Sequence, residues 1–81
     1  MNVRVLFFGP LVDITGCAST ELTLPDSSAV QKLLDTLFLQ WPTLRDWEAN
    51  LLIAVNLSYA TRTEQIPTGA EVAIMPPVQG G

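Results

Sequence analysis

One amphipathic segment in the middle of the chain constrains the fold more than any other feature. Its apolar residues recur at i, i+3, i+4, i+7, i+8 and i+11, the spacing of one continuous helical face. They are Val30, Leu33, Leu34, Leu37, Phe38 and Trp41. Pro42 predicts the end of the helix, and Ser28 with Gln31 fits a capping box at its start. This pattern predicts a helix that packs against the core of the domain.

Two strand-like segments precede the helix. Residues 3–8 are rich in β-branched and aromatic residues, and residues 20–24 alternate polar with apolar. Gly9-Pro10 and Thr15-Gly16 are turn signals between them, so we expect a hairpin.

Two further strands are predicted after the helix. Residues 43–50 can form a short helical turn with Leu44 and Trp47 packed inward, and residues 51–55 predict a strand that ends at Asn56. A polar loop over residues 60–68 then leads to the last strand. In that strand, residues 71–75, Val72 and Ile74 share one face, while Ala73 and Met75 share the other.

The predicted order of elements is β-β-α-β-β, which indicates an α+β fold with a sheet over one main helix. By analogy, we expect the first and last strands to be central and parallel, which is the β-grasp arrangement. We therefore expect a domain over residues 1–75 and an extended tail over residues 76–81.

The tail, Pro76-Pro77-Val78-Gln79-Gly80-Gly81, has an unusual composition. Its prolines favour an extended start, and its glycines can enter a channel in which any Cβ would clash. Six residues can reach roughly 20 Å from the domain.

Composition excludes several classes of function. The net charge is −4 and the four cationic side chains are scattered, which argues against nucleic-acid binding. The chain has no histidine, and its single cysteine, Cys17, allows neither an internal disulfide nor a cysteine-cluster metal site. No apolar run is long enough to span a bilayer and no cleavable leader is evident, so we predict a cytoplasmic protein without a membrane contact.

The α-carboxylate of Gly81 is the group with chemical promise. It is ionised at neutral pH and is therefore a poor electrophile until it is activated, most simply as an acyl-adenylate. Because the sequence contains no Gly-rich phosphate loop, a separate enzyme has to use ATP for this step, and we expect no cofactor on this chain.

Four segments resemble the small subunit of molybdopterin synthase, a ubiquitin-like sulfur carrier. They are residues 3–9, 54–56, 68–72 and 75–81, and the Pro-Pro-Val-x-Gly-Gly ending is the most specific of them.

The resemblance implies that Gly81 is adenylated by an activating enzyme of the ubiquitin-E1 type and converted to a thiocarboxylate by a sulfur donor system. It also implies that Pro76, Pro77, Val78 and Gly80 insert into a large subunit. There the sulfur would pass to cyclic pyranopterin monophosphate, within a heterotetramer of two carriers and two large subunits. The chain would then be a non-catalytic carrier subunit of a sulfurtransferase whose catalytic residues lie on the large subunit.

We predict that Phe7, Tyr59 and Met75 form an exposed apolar patch beside the tail that docks on these partners. For Phe7 the alternative is a place in the core. The sequence departs from the family pattern at Met75, where an aromatic residue is usual, at Gly9-Pro10 and at Leu57-Ser58-Tyr59.

Three alternative functions stay open. A thiamin-pathway carrier also ends in Gly-Gly but typically lacks Pro-Pro-Val, and a ubiquitin-type modifier usually has basic residues before its glycines. A non-covalent interaction module with the same fold would not need a free Gly81.

Overall fold

The computed structural model describes residues 1–77. Five strands, two α-helices and one 3-10 segment make up this part of the chain. In chain order they are β1 (Asn2–Phe7), α1 (Pro10–Thr15), β2 (Ser19–Thr23), α2 (Val30–Gln40), the 3-10 segment (Pro42–Asn50), β3 (Leu52–Val55), β4 (Ser58–Tyr59) and β5 (Glu71–Met75).

The strands form one mixed sheet in the order β2-β1-β5-β3-β4. The first and last strands are adjacent and parallel, with Val5 opposite Val72, while the other neighbouring pairs are antiparallel. This is the β-grasp fold, and the predicted fold class and the parallel central pair are confirmed.

The core lies between one face of the sheet and α2. Alternate residues of β1 and β5 are buried, as expected of strands with one covered face. The predicted helical stripe supplies the other half of the core, and Leu44 of the 3-10 segment is fully buried beneath it. Trp47 is half-buried against the same core, as the sequence predicted.

The predicted pairing of the first two strands is confirmed, but the sequence did not predict the helix that connects them. The strands pair antiparallel, and helix α1 lies between the two predicted turn signals. Pro10 occupies the first turn of α1, and Gly16 ends it in the left-handed conformation with its N–H donated to the Val12 carbonyl. Leu11 is fully buried, and its burial gives this short helix a tertiary anchor.

The predicted capping box at the start of the main helix is also wrong. The Ser28 hydroxyl donates to the Pro25 carbonyl, and α2 begins two residues later at Val30. The first N–H groups of α2 donate to carbonyls of the loop that follows β4: Val30 to Glu64 and Gln31 to Arg62. Backbone carbonyls from a segment distant in sequence therefore accept the helix N-terminal hydrogen bonds that a local capping side chain was expected to accept.

Candidate functional site

The outer face of the sheet, opposite α2, divides into a polar and an apolar half. Arg4 on β1 lies in register with Glu21 on β2 and with Glu71 on β5, and all three side chains are exposed. Farther along the same two central strands the outward residues become apolar, ending at Phe8 and Met75. The apolar half therefore lies at the end of the sheet where the tail begins.

An apolar groove of about 290 Å³ occupies this half of the sheet. Two small residues, Ala54 on β3 and Ala73 on β5, pair directly across the strands and leave a depression between larger neighbours. All the lining residues are uncharged: Phe8, Ala54, Leu57, Tyr59, Ala73 and Met75. An uncharged concave surface of this kind is typical of a docking site.

The expectation that Phe7 belongs to the exposed patch is wrong. Phe7 is 3% exposed, lies in register with the buried Ile74 and makes an edge-to-face contact with Trp41 at a centroid distance of 5.5 Å. Its neighbour Phe8 points the other way, is 45% exposed and lines the groove. Strand alternation puts Phe7 on the side of Val5, and this signal was already present in the sequence.

Tyr59 and Met75 lie in the predicted neighbourhood. Tyr59 pairs with Ala54 at the outer edge of the sheet and is 73% exposed, whereas Met75 is half-buried at the end of β5. Both line the groove. Their role in docking a partner stays a prediction.

A two-residue turn joins β3 to β4 and adds a residue that the sequence analysis did not select. Asn56 and Leu57 both have positive φ angles, 49° and 72°, the pattern of a type I′ turn. The Asn56 side-chain carbonyl accepts a hydrogen bond from the Glu71 N–H at 3.0 Å, which ties the turn to β5. Leu57 at the tip is 93% exposed and forms part of the groove lining.

The start of the tail rests on the domain. Pro76 and Pro77 are half-buried, and a Cβ placed on Gly9 would approach the Pro76 Cγ to 3.3 Å. Gly9 therefore leaves room for Pro76 directly after the last strand. The other predicted tail residues, Val78, Gly80 and Gly81, lie outside the described residues.

Within residues 1–77, the structure offers no cluster of three or more His, Cys, Asp or Glu side chains that could hold a metal ion. Over the same range, no helix has both the length and the apolar character needed to cross a membrane. Cys17 is half-buried behind α1, with its thiol 3.8 Å from the Thr15 hydroxyl.

A family model described as the ThiS family matches residues 5–81, which includes the groove and the tail. The chain belongs to the ThiS family. Within it, a similar relative is the molybdopterin synthase sulfur carrier subunit of Arabidopsis thaliana. The two are 33% identical over 81 residues, which span all of this chain and 84% of that protein. The resemblance to the small subunit of molybdopterin synthase is confirmed.

Solved structures of similar proteins share the fold of this ThiS-family chain. In a protein–protein complex of subunits 1 and 2 of molybdopterin-converting factor from Helicobacter pylori, the similar chain is 26% identical, with a TM-score of 0.68 and full coverage of both chains. SAMP1 from Haloferax volcanii is 22% identical with a TM-score of 0.86, again over the whole of both chains, and shows the fold alone.

Proposed function

We propose that this chain is the sulfur carrier subunit of a molybdopterin synthase and that Gly81 carries the sulfur. The observation that carries the proposal is the apolar groove at the place where Pro76 and Pro77 leave the sheet, because a protein that covers the groove is positioned to receive the tail. Similarity over the whole chain to the Arabidopsis sulfur carrier subunit supports this function.

The chemistry begins at the Gly81 carboxylate. As an ionised group it resists nucleophilic attack, so a separate activating enzyme of the ubiquitin-E1 type has to join it to AMP from ATP with release of pyrophosphate. A sulfur nucleophile at the oxidation level of sulfide, supplied by a donor system, then attacks the acyl carbon and displaces AMP, so that the product is a thiocarboxylate. This chain contributes the reacting carboxylate and its reach to these steps.

The second half of the proposed reaction takes place on a large subunit. The groove docks on that subunit and the tail enters its active site. There the thiocarboxylate sulfur passes to cyclic pyranopterin monophosphate, and water attacks the acyl carbon to break the C–S bond and restore the Gly81 carboxylate. The carrier has no histidine and only four cationic side chains, so the large subunit has to supply the acid–base groups and the phosphate-binding charges. The proposed assembly is a heterotetramer of two carriers and two large subunits in the cytoplasm.

Intact-mass measurement tests the carrier chemistry directly. The protein is incubated with ATP, its candidate activating enzyme and a sulfur donor, and we expect a mass gain equal to the exchange of one oxygen for sulfur, located at Gly81. Omission of ATP and deletion of Gly81 are the two controls, and both should abolish the gain. If a known carrier is converted under these conditions and this protein is not, the carrier function is wrong.

The enzyme that accepts the sulfur distinguishes a molybdopterin synthase carrier from a thiamin-pathway carrier. A thiocarboxylate made on this chain should be consumed by a molybdopterin synthase large subunit with cyclic pyranopterin monophosphate, and not by the enzyme that accepts sulfur from a thiamin-pathway carrier. For a non-covalent interaction module, deletion of Gly81 would leave its activity intact, whereas a carrier loses its reacting atom.

A further inference from the structure

Leu57 has a backbone conformation that a leucine rarely adopts. It occupies the second central position of the β3–β4 turn with φ at 72°, where glycine or asparagine is preferred because a Cβ is crowded there. Its side chain is also 93% exposed, so burial in the domain does not compensate for the strain. A strained and solvated leucine is a costly choice for a turn, and strain of this kind is often found at functional sites.

Most of the large exposed apolar side chains of the described region line the groove. Among residues 1–77 the large exposed apolar and aromatic side chains are Phe8, Leu39, Leu57 and Tyr59. Three of them line the groove, and Leu39 stands apart on α2. Leu57 lies at the tip of the β3–β4 hairpin, whereas the predicted patch residue Tyr59 lies within β4.

We propose that Leu57 is an anchor that inserts into an apolar recess of the large subunit and extends the docking surface to the hairpin tip. This inference rests on the proposed function, because it names one more residue of the same interface. In this view the turn keeps its strained leucine because the side chain becomes buried on assembly.

The continuity of the groove with the tail identifies the large subunit as the occupant. Met75 lines the groove and directly precedes Pro76, so a protein that takes up the tail is placed to cover the groove. Leu57 lines the same groove from its other end, where the turn is bonded to Glu71 at the start of β5, and a partner that fills the whole groove reaches it. A second copy of this chain is a poorer occupant, because two copies with a net charge of −4 each repel one another.

The test compares one substitution at two exposed leucines. Leu57→Asn removes the anchor and suits the turn, since asparagine tolerates positive φ better than leucine does. Leu39→Asn makes the same change on α2, outside the groove. We expect Leu57→Asn to weaken binding to the large subunit at least ~10-fold while Tm stays the same or rises by a few degrees. Leu39→Asn should leave binding unchanged, and Leu57→Met should retain most of the affinity.

A third variant separates the anchor from the proposed function. Met75→Asp places a charge in the groove and should weaken binding if this face docks at all. If Met75→Asp weakens binding and Leu57→Asn does not, the anchor is wrong and the docking surface stands. If neither variant changes affinity, the docking surface itself is wrong. If Leu57→Asn alters self-association in sedimentation but not affinity for the large subunit, the occupant is a second copy and the inference is overturned.

Discussion

Two adjacent phenylalanines show how closely core and docking surface are interleaved in this chain. Phe7 follows Val3 and Val5 on the covered face of β1, while Phe8 follows the outward Leu6 and lies at the edge of the groove. The two residues have the same side chain and neighbouring positions. The period of two along a strand therefore decides which of them stabilises the domain and which is left for a partner.

Alanine substitution should separate these two roles. Phe7→Ala opens a cavity beside Trp41 and Ile74, and we expect it to cost about 3–5 kcal/mol of unfolding free energy. Phe8→Ala should cost about 1 kcal/mol or less, because the side chain is 45% exposed, yet it should weaken binding to the large subunit roughly 10-fold. Urea denaturation and a binding titration measure the two effects. Equal losses of stability in both variants would contradict this assignment.

Gly9 is expected to set the direction in which the tail leaves the domain. Its φ of 58° and ψ of −136° suit glycine, and an added Cβ would lie 3.3 Å from the Pro76 Cγ. Gly9→Ala should therefore cost about 1–3 kcal/mol and also displace Pro76, which slows sulfur delivery from a preformed thiocarboxylate.

Gly69→Ala is the matched control for Gly9. Gly69 also has a positive φ, 76°, but an added Cβ meets no atom within 4 Å there. We expect it to lower stability by about 1 kcal/mol and to leave single-turnover sulfur transfer unchanged. If both variants deliver sulfur at the same rate per folded molecule, the contact between Gly9 and Pro76 does not guide the tail.

At the scale of elements, the sequence predicts the helices and strands whose apolar residues recur with a regular period. The stripe from Val30 to Trp41 identifies α2, and the alternation of β5 identifies its buried face correctly. Features that depend on contacts between residues distant in sequence leave no such pattern in the sequence. The N–H groups at the start of α2 donate to the carbonyls of Arg62 and Glu64, which lie more than thirty positions away. No local sequence motif encodes these hydrogen bonds.

The sequence analysis missed the apolar groove for a related reason. Its floor consists of Ala54 and Ala73, and small residues give no signal until two strands are placed side by side. Strand β4 is two residues long, too short for an alternating pattern, although the Asn56 that precedes it is a common residue of hairpin turns. The sequence analysis placed Tyr59 and Met75 in an apolar patch, whereas the concave shape depends on the register of β3 and β5.

Filling the groove tests whether its shape matters. Ala73→Leu adds a branched side chain to the outward face of β5, where the depression accepts it, so we expect stability to change by about 1 kcal/mol or less. Binding to the large subunit should weaken roughly 10-fold or more, because an occupied groove no longer matches its partner. Ala49→Leu on the exposed side of the 3-10 segment is the control, and its affinity should equal that of the parent. Unchanged affinity in Ala73→Leu would show that the partner does not enter the groove.

At the scale of the whole molecule, the sheet order explains how so small a domain presents its tail. β5 lies between β1 and β3, so the segment after Met75 begins in the middle of the sheet and beside the apolar half of its outer face. The core, on the opposite face, is complete without any contribution from that surface. The core and the proposed docking groove therefore use opposite sides of the same strands, so we expect substitutions in the groove to change binding while leaving the domain intact.

The last tail positions should act on the partner and not on the domain. Gly80→Ala adds one methyl group to the tail, and we expect no change in Tm, because residues within 1–77 already form a core between the sheet and α2. In a narrow channel the added methyl should cost about 1–3 kcal/mol, which lowers activation or sulfur transfer roughly 10-fold or more. Gln79→Ala removes atoms from the neighbouring position and should be tolerated by comparison. Single-turnover transfer from each thiocarboxylate measures the difference, and wild-type transfer by Gly80→Ala would mean that the tail does not pass through a channel that excludes a Cβ.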